Sequence, residues 1–160
     1  LVFFIFWVFN NRKYRRESLV MLTINLDKGK KFTVQKKVLE EDASLNYGSG
    51  QLDTVLATPS LVALVIEGAV EAIDEKLPEG IISVGAKMEL EHTNATVIGA
   101  TVSIEGEIVE FDGRKVVINF TAYDEIGEIG SGVHERHIVS KDGMMVKAHE
   151  RSQAIKNRNY

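Results

Sequence analysis

The sequence contains no cysteine among its 160 residues, which excludes disulfide bonds, thiol nucleophiles and thiolate metal ligands. The lack of cysteine also fits a cytoplasmic protein, which is the location we expect. Basic residues number 19 against 23 acidic ones, and the net charge of -4 argues against a nucleic-acid binder, which would show a basic face. Repeats and low-complexity tracts are absent, and the ordinary composition predicts one domain with a substantial core.

The first twenty residues have an unusual composition. Residues 1–9 are almost wholly apolar, and four basic residues follow between positions 12 and 16. A helix needs about 20 apolar residues to cross a bilayer, and a secretory signal carries its charges before the apolar run. We therefore expect no stable membrane insertion. Met21 begins a segment typical of a domain start, so we interpret residues 1–20 as an added or upstream-translated extension rather than a membrane-docking or partner-binding segment.

Thr58 and Pro59 predict the start of a long helix. Thr58 is a suitable N-cap, because its hydroxyl can accept from a free N–H of the first turn, and proline suits the first helical position. A wide apolar surface follows, and the pattern ends near the Pro78 to Gly80 turn. Four polar residues fall on one stripe of this helix: Ser60, Glu67, Glu71 and Asp74.

The segment 82–92 alternates apolar and polar residues and predicts a strand. Its apolar face ends in His92, which we therefore expect on the core side. A structural role for a half-buried histidine is the more common interpretation, and a catalytic role is the alternative.

The remaining pattern predicts further strands around this helix. Strands are expected at 31–38, 101–111, 115–123 and 131–140, with an Asp112-Gly113 hairpin turn between two of them. One strand, one helix and four consecutive strands indicate an α+β domain, with a helix packed on an antiparallel sheet.

Seven short segments, in order along residues 31–140, carry a resemblance to a known family. They are Gly48-Ser49-Gly50, Val55-Leu56-Ala57-Thr58-Pro59, Leu77-Pro78-Glu79-Gly80, Ser83-Val84-Gly85, Glu91-His92, Val97-Ile98-Gly99-Ala100 and Gly132-Val133-His134-Glu135-Arg136. By these segments the chain resembles the hot-dog fold thioesterases, in particular the fluoroacetyl-CoA thioesterase-like family. The resemblance implies a hot-dog domain over 21–145, with a long central helix wrapped by the sheet, followed by a polar C-terminal segment at 146–160.

The resemblance also implies a function and a site. It implies thioester hydrolysis of an acyl-CoA bound between the subunits of a homodimer or higher homo-oligomer. Thr58 would be the nucleophile or the hydroxyl that positions water, His92 the acid/base group, and the Gly85 backbone a binder of the carbonyl. Ser49 and Ile66 are further candidates for substrate binding. Coenzyme A would enter only as part of the substrate, with no separate cofactor.

The chain departs from this family at the helix carboxylate. The family's glutamate lies eight residues after the threonine, where this sequence has Ile66, and Glu67 is one residue later. One residue is about 100° around a helix, and Glu67 belongs to the polar stripe, so we expect a surface position for it while keeping it as a catalytic candidate. A non-catalytic acyl-CoA or small-ligand binding protein on the same scaffold is therefore the alternative function.

No metal site is expected. His134 and His137 lie in one charged strand segment, where alternation favours an outer surface with an ion pair, and no carboxylate lies at a recognisable ligand spacing.

Overall fold

The computed structural model describes residues 24–158 apart from positions 49 and 53, so Ser49 and the predicted 1–20 extension lie outside the described residues. In this part of the chain, five strands form one antiparallel sheet. They are β1 (Lys31–Lys37), β2 (Ile81–His92), β3 (Thr101–Phe111), β4 (Lys115–Tyr123) and β5 (Glu128–Ser140), in the spatial order β1-β3-β4-β5-β2.

Within the described residues, two helices accompany the sheet, α1 (Thr58–Asp74) and α2 (Lys141–Lys156). Two short 3-10 helices, Glu40–Asp42 and Ser44–Asn46, occupy the connection before α1. The α+β prediction agrees with this arrangement, although α1 ends at Asp74, four residues before the Pro78 turn where its end was predicted. The domain boundary expected after residue 145 falls inside α2, a helix with no buried residue.

The core lies between α1 and one face of the sheet. One cluster joins the first half of α1 to β3 and β4 through Leu61, Val65, Ile104 and Phe120. A second cluster joins the end of α1 to the other end of the sheet through Ile73, Ile118 and Ile138. Both clusters follow from the period-two pattern of the strands and the 3.6-residue period of the helix.

The hairpin between β3 and β4 forms where the Asp-Gly pair predicted it. The Asp112 carboxylate accepts from the backbone N–H groups of Arg114 and Lys115, at 2.9 and 2.6 Å. Gly113 has a φ of 94°, in the left-handed region that glycine adopts without strain.

A β-bulge in β2 corrects the predicted face of this strand. The pairing of β2 with β5 shifts between Gly85 and Lys87, so one extra residue is inserted there. Before the bulge Ile81 and Ser83 are buried, instead of the even-numbered apolar residues we expected. After the bulge the even-numbered residues lie on the core side, as predicted for His92.

Candidate active site

Thr58 and His92 meet at the start of α1. Thr58 Oγ1 and His92 Nδ1 are 3.0 Å apart, a hydrogen bond that joins residues 34 positions apart. Either the hydroxyl donates to Nδ1, or Nδ1–H donates to the hydroxyl. Both residues were predicted from the sequence as parts of the site, and the fold brings them together as a polar dyad.

The predicted capping role of Thr58 is wrong. Ala57 is the N-cap, Thr58 is the first helical residue, and no side chain caps this end. The threonine hydroxyl is therefore available to His92. The backbone N–H of Thr58 and the positive end of the helix dipole lie beside it, an environment that stabilises negative charge.

The imidazole of His92 is half-buried, and this environment favours its neutral form. Burial lowers the pKa of His92, and the nearby backbone of Asn94 offsets only part of that effect. Its Nε2 atom is buried without a hydrogen-bond partner among the described residues. A neutral histidine bonded to a hydroxyl can accept the proton of that hydroxyl.

The residue before Thr58 is fixed by Asp42. The backbone carbonyl of Asp42 accepts from Ala57 N–H at 2.8 Å. Its buried carboxylate binds Lys36 Nζ at 2.6 Å and Leu39 N–H at 3.0 Å. Burial works against ionisation, but the bonds from Lys36 and Leu39 outweigh it and keep the pKa of Asp42 below its usual value. The start of α1 is therefore tied to β1.

The helix provides His92 with no carboxylate partner in the described part of the chain. Ile66 lies two turns after Thr58 on the same helix face, since residues at i, i+4 and i+8 share a row. Glu67 is exposed and lies on the side of α1 near β1. The bond to Asp42 contributes most to the raised pKa of Lys36, and the charge of Glu67 adds a smaller contribution. The structure therefore places Glu67 away from the dyad, as its polar stripe indicated.

Gly85 does not join the dyad within one chain. It lies seven strand residues from His92, and at about 3.3 Å per residue that is roughly 20 Å. Gly85 is exposed and pairs with Arg136 at the bulge of β2, a strand at the free edge of the sheet. Ser49, the other predicted substrate contact, lies outside the described residues.

A buried polar network lies near the bulge, so the outer surface predicted for this strand segment is wrong. His134 and Arg136 are only 2% and 3% exposed. Arg136 donates to the Ser83 side chain and carbonyl at 2.8 Å, and the Ser83 hydroxyl in turn donates to Asp74. Burial lowers the pKa of Arg136, against the opposing effect of the Asp74 charge.

His134 extends the same network. Its Nδ1 lies 2.9 Å from the carbonyl oxygen of Lys87, and its Nε2 lies 3.1 Å from Arg136 Nη1. Since a carbonyl only accepts and a guanidinium only donates, Nδ1 carries the proton and Nε2 accepts. The alternation of β5 could have predicted this burial, because Ile138 is a core residue and shares a face with His134 and Arg136.

The described residues offer no metal-ligand cluster and no membrane-spanning helix. Within residues 24–158, positions 49 and 53 apart, no group of three or more histidine or acidic side chains could hold a metal ion. In that same part of the chain, no helix is long and apolar enough to span a membrane.

One helix packed on a five-stranded antiparallel sheet, with a polar dyad at the helix start, defines the chain as a hot-dog domain. A hot-dog-like protein from Thermanaerovibrio acidaminovorans superposes with a TM-score of 0.74 at 30% identity, over 79% of this chain and 93% of that one. A solved fluoroacetyl-CoA thioesterase gives a TM-score of 0.74 at 27% identity, over 79% and 97% of the two chains. The predicted fold is confirmed.

Sequence comparison defines the family more narrowly. The family model described as fluoroacetyl-CoA-specific thioesterase matches residues 38–142. The fluoroacetyl-CoA thioesterase of Streptantibioticus cattleyicolor is 33% identical over 100 residues, which cover 62% of this chain and 72% of that protein. The chain belongs to the fluoroacetyl-CoA-specific thioesterase family, as its short segments predicted.

Proposed function

We propose that this chain hydrolyses acyl-CoA thioesters, with Thr58 and His92 as the reacting pair. The observation that carries the proposal is the 3.0 Å hydrogen bond between the two side chains at the N-terminus of α1, in a chain of a thioesterase family. A relative named for fluoroacetyl-CoA supports an acyl-CoA substrate.

The reaction proceeds in two steps on these side chains. His92 Nδ1 accepts the Thr58 proton as the hydroxyl oxygen attacks the thioester carbon, and the C–S bond breaks. The imidazolium returns the proton to the departing coenzyme A thiolate, leaving an acyl ester on Thr58. Water activated by His92 then cleaves that ester and restores the hydroxyl. The positive end of the α1 dipole, with the backbone N–H of Thr58, stabilises the oxyanion of each step.

The site is completed by a second subunit in this proposal. Strand β2 lies at an edge of the sheet, and its outer backbone groups are available to another strand. If two β2 strands pair antiparallel about a centre near residues 88 and 89, Gly85 of one subunit lies opposite His92 of the other. The separation of about 20 Å within one chain then becomes a contact between chains.

The same proposal includes the remaining expectations. Coenzyme A enters as part of the substrate, and the route uses only side chains and backbone groups of the protein. The location expected from the lack of cysteine is the cytoplasm.

A second function, acyl-CoA binding without hydrolysis, is favoured by one specific observation. His92 has no carboxylate partner among the described residues, and Ile66 occupies the helix position where the family resemblance implies a glutamate. A histidine without such a partner is less well oriented and less stabilised when it becomes charged.

The test is coenzyme A release from a panel of acyl-CoAs by wild type, Thr58→Ala, His92→Ala and the control Thr93→Ala. Thr93 is an exposed threonine beside His92. We expect the Thr58 and His92 variants to lose about 100-fold or more in kcat, and the control to keep its activity. Full turnover by Thr58→Ala would remove the dyad from the mechanism.

Binding of acyl-CoA by wild type without release of coenzyme A would establish the second function instead. Intact-mass measurement during turnover tests the covalent step, because an acyl adduct should form on wild type and be absent from Thr58→Ala.

A further inference from the structure

The course of α1 relative to β2 is fixed by contacts at both ends of the helix. At one end of α1, Thr58 contacts His92, the last residue of β2. At the other end, Asp74 accepts hydrogen bonds from the backbone and hydroxyl of Ser83, near the start of β2. The helix and the edge strand therefore run antiparallel and side by side over their whole length.

Two apolar residues continue from the dyad along helix α1. Val62 and Ile66 follow Thr58 at intervals of four residues and so share its helix face. Gly68 lies two residues after Ile66, about 200° around the helix, and packs against Val34 of β1. The row from Thr58 to Ile66 thus lies on the β2 side.

Two apolar residues also continue from the dyad along strand β2. After the bulge, Leu90 and Met88 share the face of His92. Both are partly buried and pack against the core cluster beneath α1. We call Val62, Ile66, Met88 and Leu90 together the apolar strip. It has a polar end at Thr58 and His92 and no charged member.

All four members of the apolar strip retain some solvent exposure, and Ile66 is 37% exposed. An apolar surface that continues directly from a polar dyad matches a ligand whose reactive polar group is attached to an aliphatic chain. Coenzyme A is highly charged and is best left towards solvent, so the acyl group is the part of the substrate that can use the strip.

We propose that the apolar strip binds the acyl chain and makes the enzyme selective for unbranched aliphatic acyl-CoAs, with Val62 and Ile66 as specificity-determining residues. This inference rests on the proposed thioesterase function and names its substrate class. Replacement of the helix glutamate by Ile66 then extends the apolar surface at a position where a carboxylate would repel an aliphatic chain.

The helix spacing gives the proposal a length scale. Val62 lies about 6 Å and Ile66 about 12 Å along the axis from Thr58, at 1.5 Å per residue. Acyl chains of about four carbons reach Val62, and chains of about eight carbons reach Ile66. Each added methylene along this path should raise kcat/KM about fourfold until the strip is filled.

The experiment measures kcat/KM for acetyl-, butyryl-, octanoyl- and succinyl-CoA with the full-length chain. We compare wild type, Val62→Thr, Ile66→Val and Ile66→Thr. The Thr and Val variants at position 66 have nearly the same shape and differ in a hydroxyl. Expected are a rise from acetyl to octanoyl, at least about 100-fold discrimination against the anionic succinyl group, and losses for octanoyl-CoA in Ile66→Thr well beyond those in Ile66→Val.

Val62→Thr should lower kcat/KM for butyryl- and octanoyl-CoA, and both threonine variants should lower kcat/KM less for acetyl-CoA than for the longer substrates. Hydrolysis with equal kcat/KM for all four substrates would overturn the proposal and leave the thioesterase function intact. No hydrolysis by wild type would refute the thioesterase function itself.

Analytical ultracentrifugation of the same variants covers the competing occupant, a second copy of the chain. Dissociation of Ile66→Thr into smaller species, with an unchanged order of preference among the acyl-CoAs, would assign the strip to subunit contact and overturn the proposal.

Discussion

The backbone N–H of Leu56 donates to the carbonyl oxygen of Thr96 at 2.8 Å. Leu56 lies two residues before Thr58, and Thr96 lies four residues after His92. This single bond therefore links the segment that enters α1 to the loop that leaves β2, so the two halves of the dyad are positioned by one local structure. Thr96 is itself fixed, because it is 1% exposed and its hydroxyl donates to Asp124 at 2.9 Å.

Thr96→Val should weaken both stability and catalysis. The change keeps the shape but removes the hydroxyl bond to Asp124, which should cost about 1 kcal/mol of unfolding free energy. Because the loop positions His92, we expect kcat to fall more than KM changes. Urea unfolding and steady-state kinetics measure the two effects, with the exposed Thr93→Val as the matched control. An unchanged kcat in a destabilised variant would show that the link to the dyad is unimportant.

The pH dependence of kcat/KM should report the neutral form of His92. Burial lowers the pKa of His92, so the acid limb should have its inflection below the ordinary histidine value of about 6.5. Since the base acts when deprotonated, activity rises with pH through this value and is then level. The profile is best followed through loss of the thioester absorbance, which needs no thiol reagent.

The same pKa shift gives a sign for stability. In the unfolded chain His92 has an ordinary pKa and takes up its proton at a higher pH than in the folded chain. Its contribution to stability is therefore complete above the unfolded value and is lost as the pH falls through the folded one. An acid limb above 6.5 would contradict a buried neutral base.

Glu67→Gln should leave both turnover and fold nearly unchanged. Glu67 is exposed and lies on the β1 side of α1, so its carboxylate takes no part in the dyad. We expect kcat/KM to stay within about a factor of two and stability within about 0.5 kcal/mol. A loss of activity comparable with that of His92→Ala would place Glu67 in the catalytic machinery and reverse our interpretation.

Ser83→Ala should destabilise the domain while leaving the side chains of Thr58 and His92 in place. The hydroxyl accepts from Arg136 and donates to Asp74, so its removal leaves a buried guanidinium short of a partner. Hydrogen bonds to charged groups contribute about 1.5–3 kcal/mol each, and we expect a loss of that order in thermal or urea unfolding. Ser131→Ala, on a neighbouring strand and only half-buried, is the control. Equal stability of the two variants would contradict the network.

Much of the fold follows from local patterns in the sequence. Alternation predicted the strands, the Asp112 turn was correct, and the proline located the start of α1 to within one residue, since the helix begins at Thr58 and not at Pro59. The Ile66 departure and the surface position of Glu67 were also visible, because helix periodicity alone assigns them to different rows.

The tertiary structure decided what local patterns cannot encode. One extra residue at the bulge between Gly85 and Lys87 exchanges the two faces of β2, and only pairing with β5 reveals it. Burial of His134 and Arg136 likewise depends on long-range partners, since Ser83 is 53 residues from Arg136. The sequence by itself determined which residue types line the site and their order along each element. The meeting of Thr58 with His92 required folding, because a hydrogen bond across 34 residues exists only when helix and edge strand pack together.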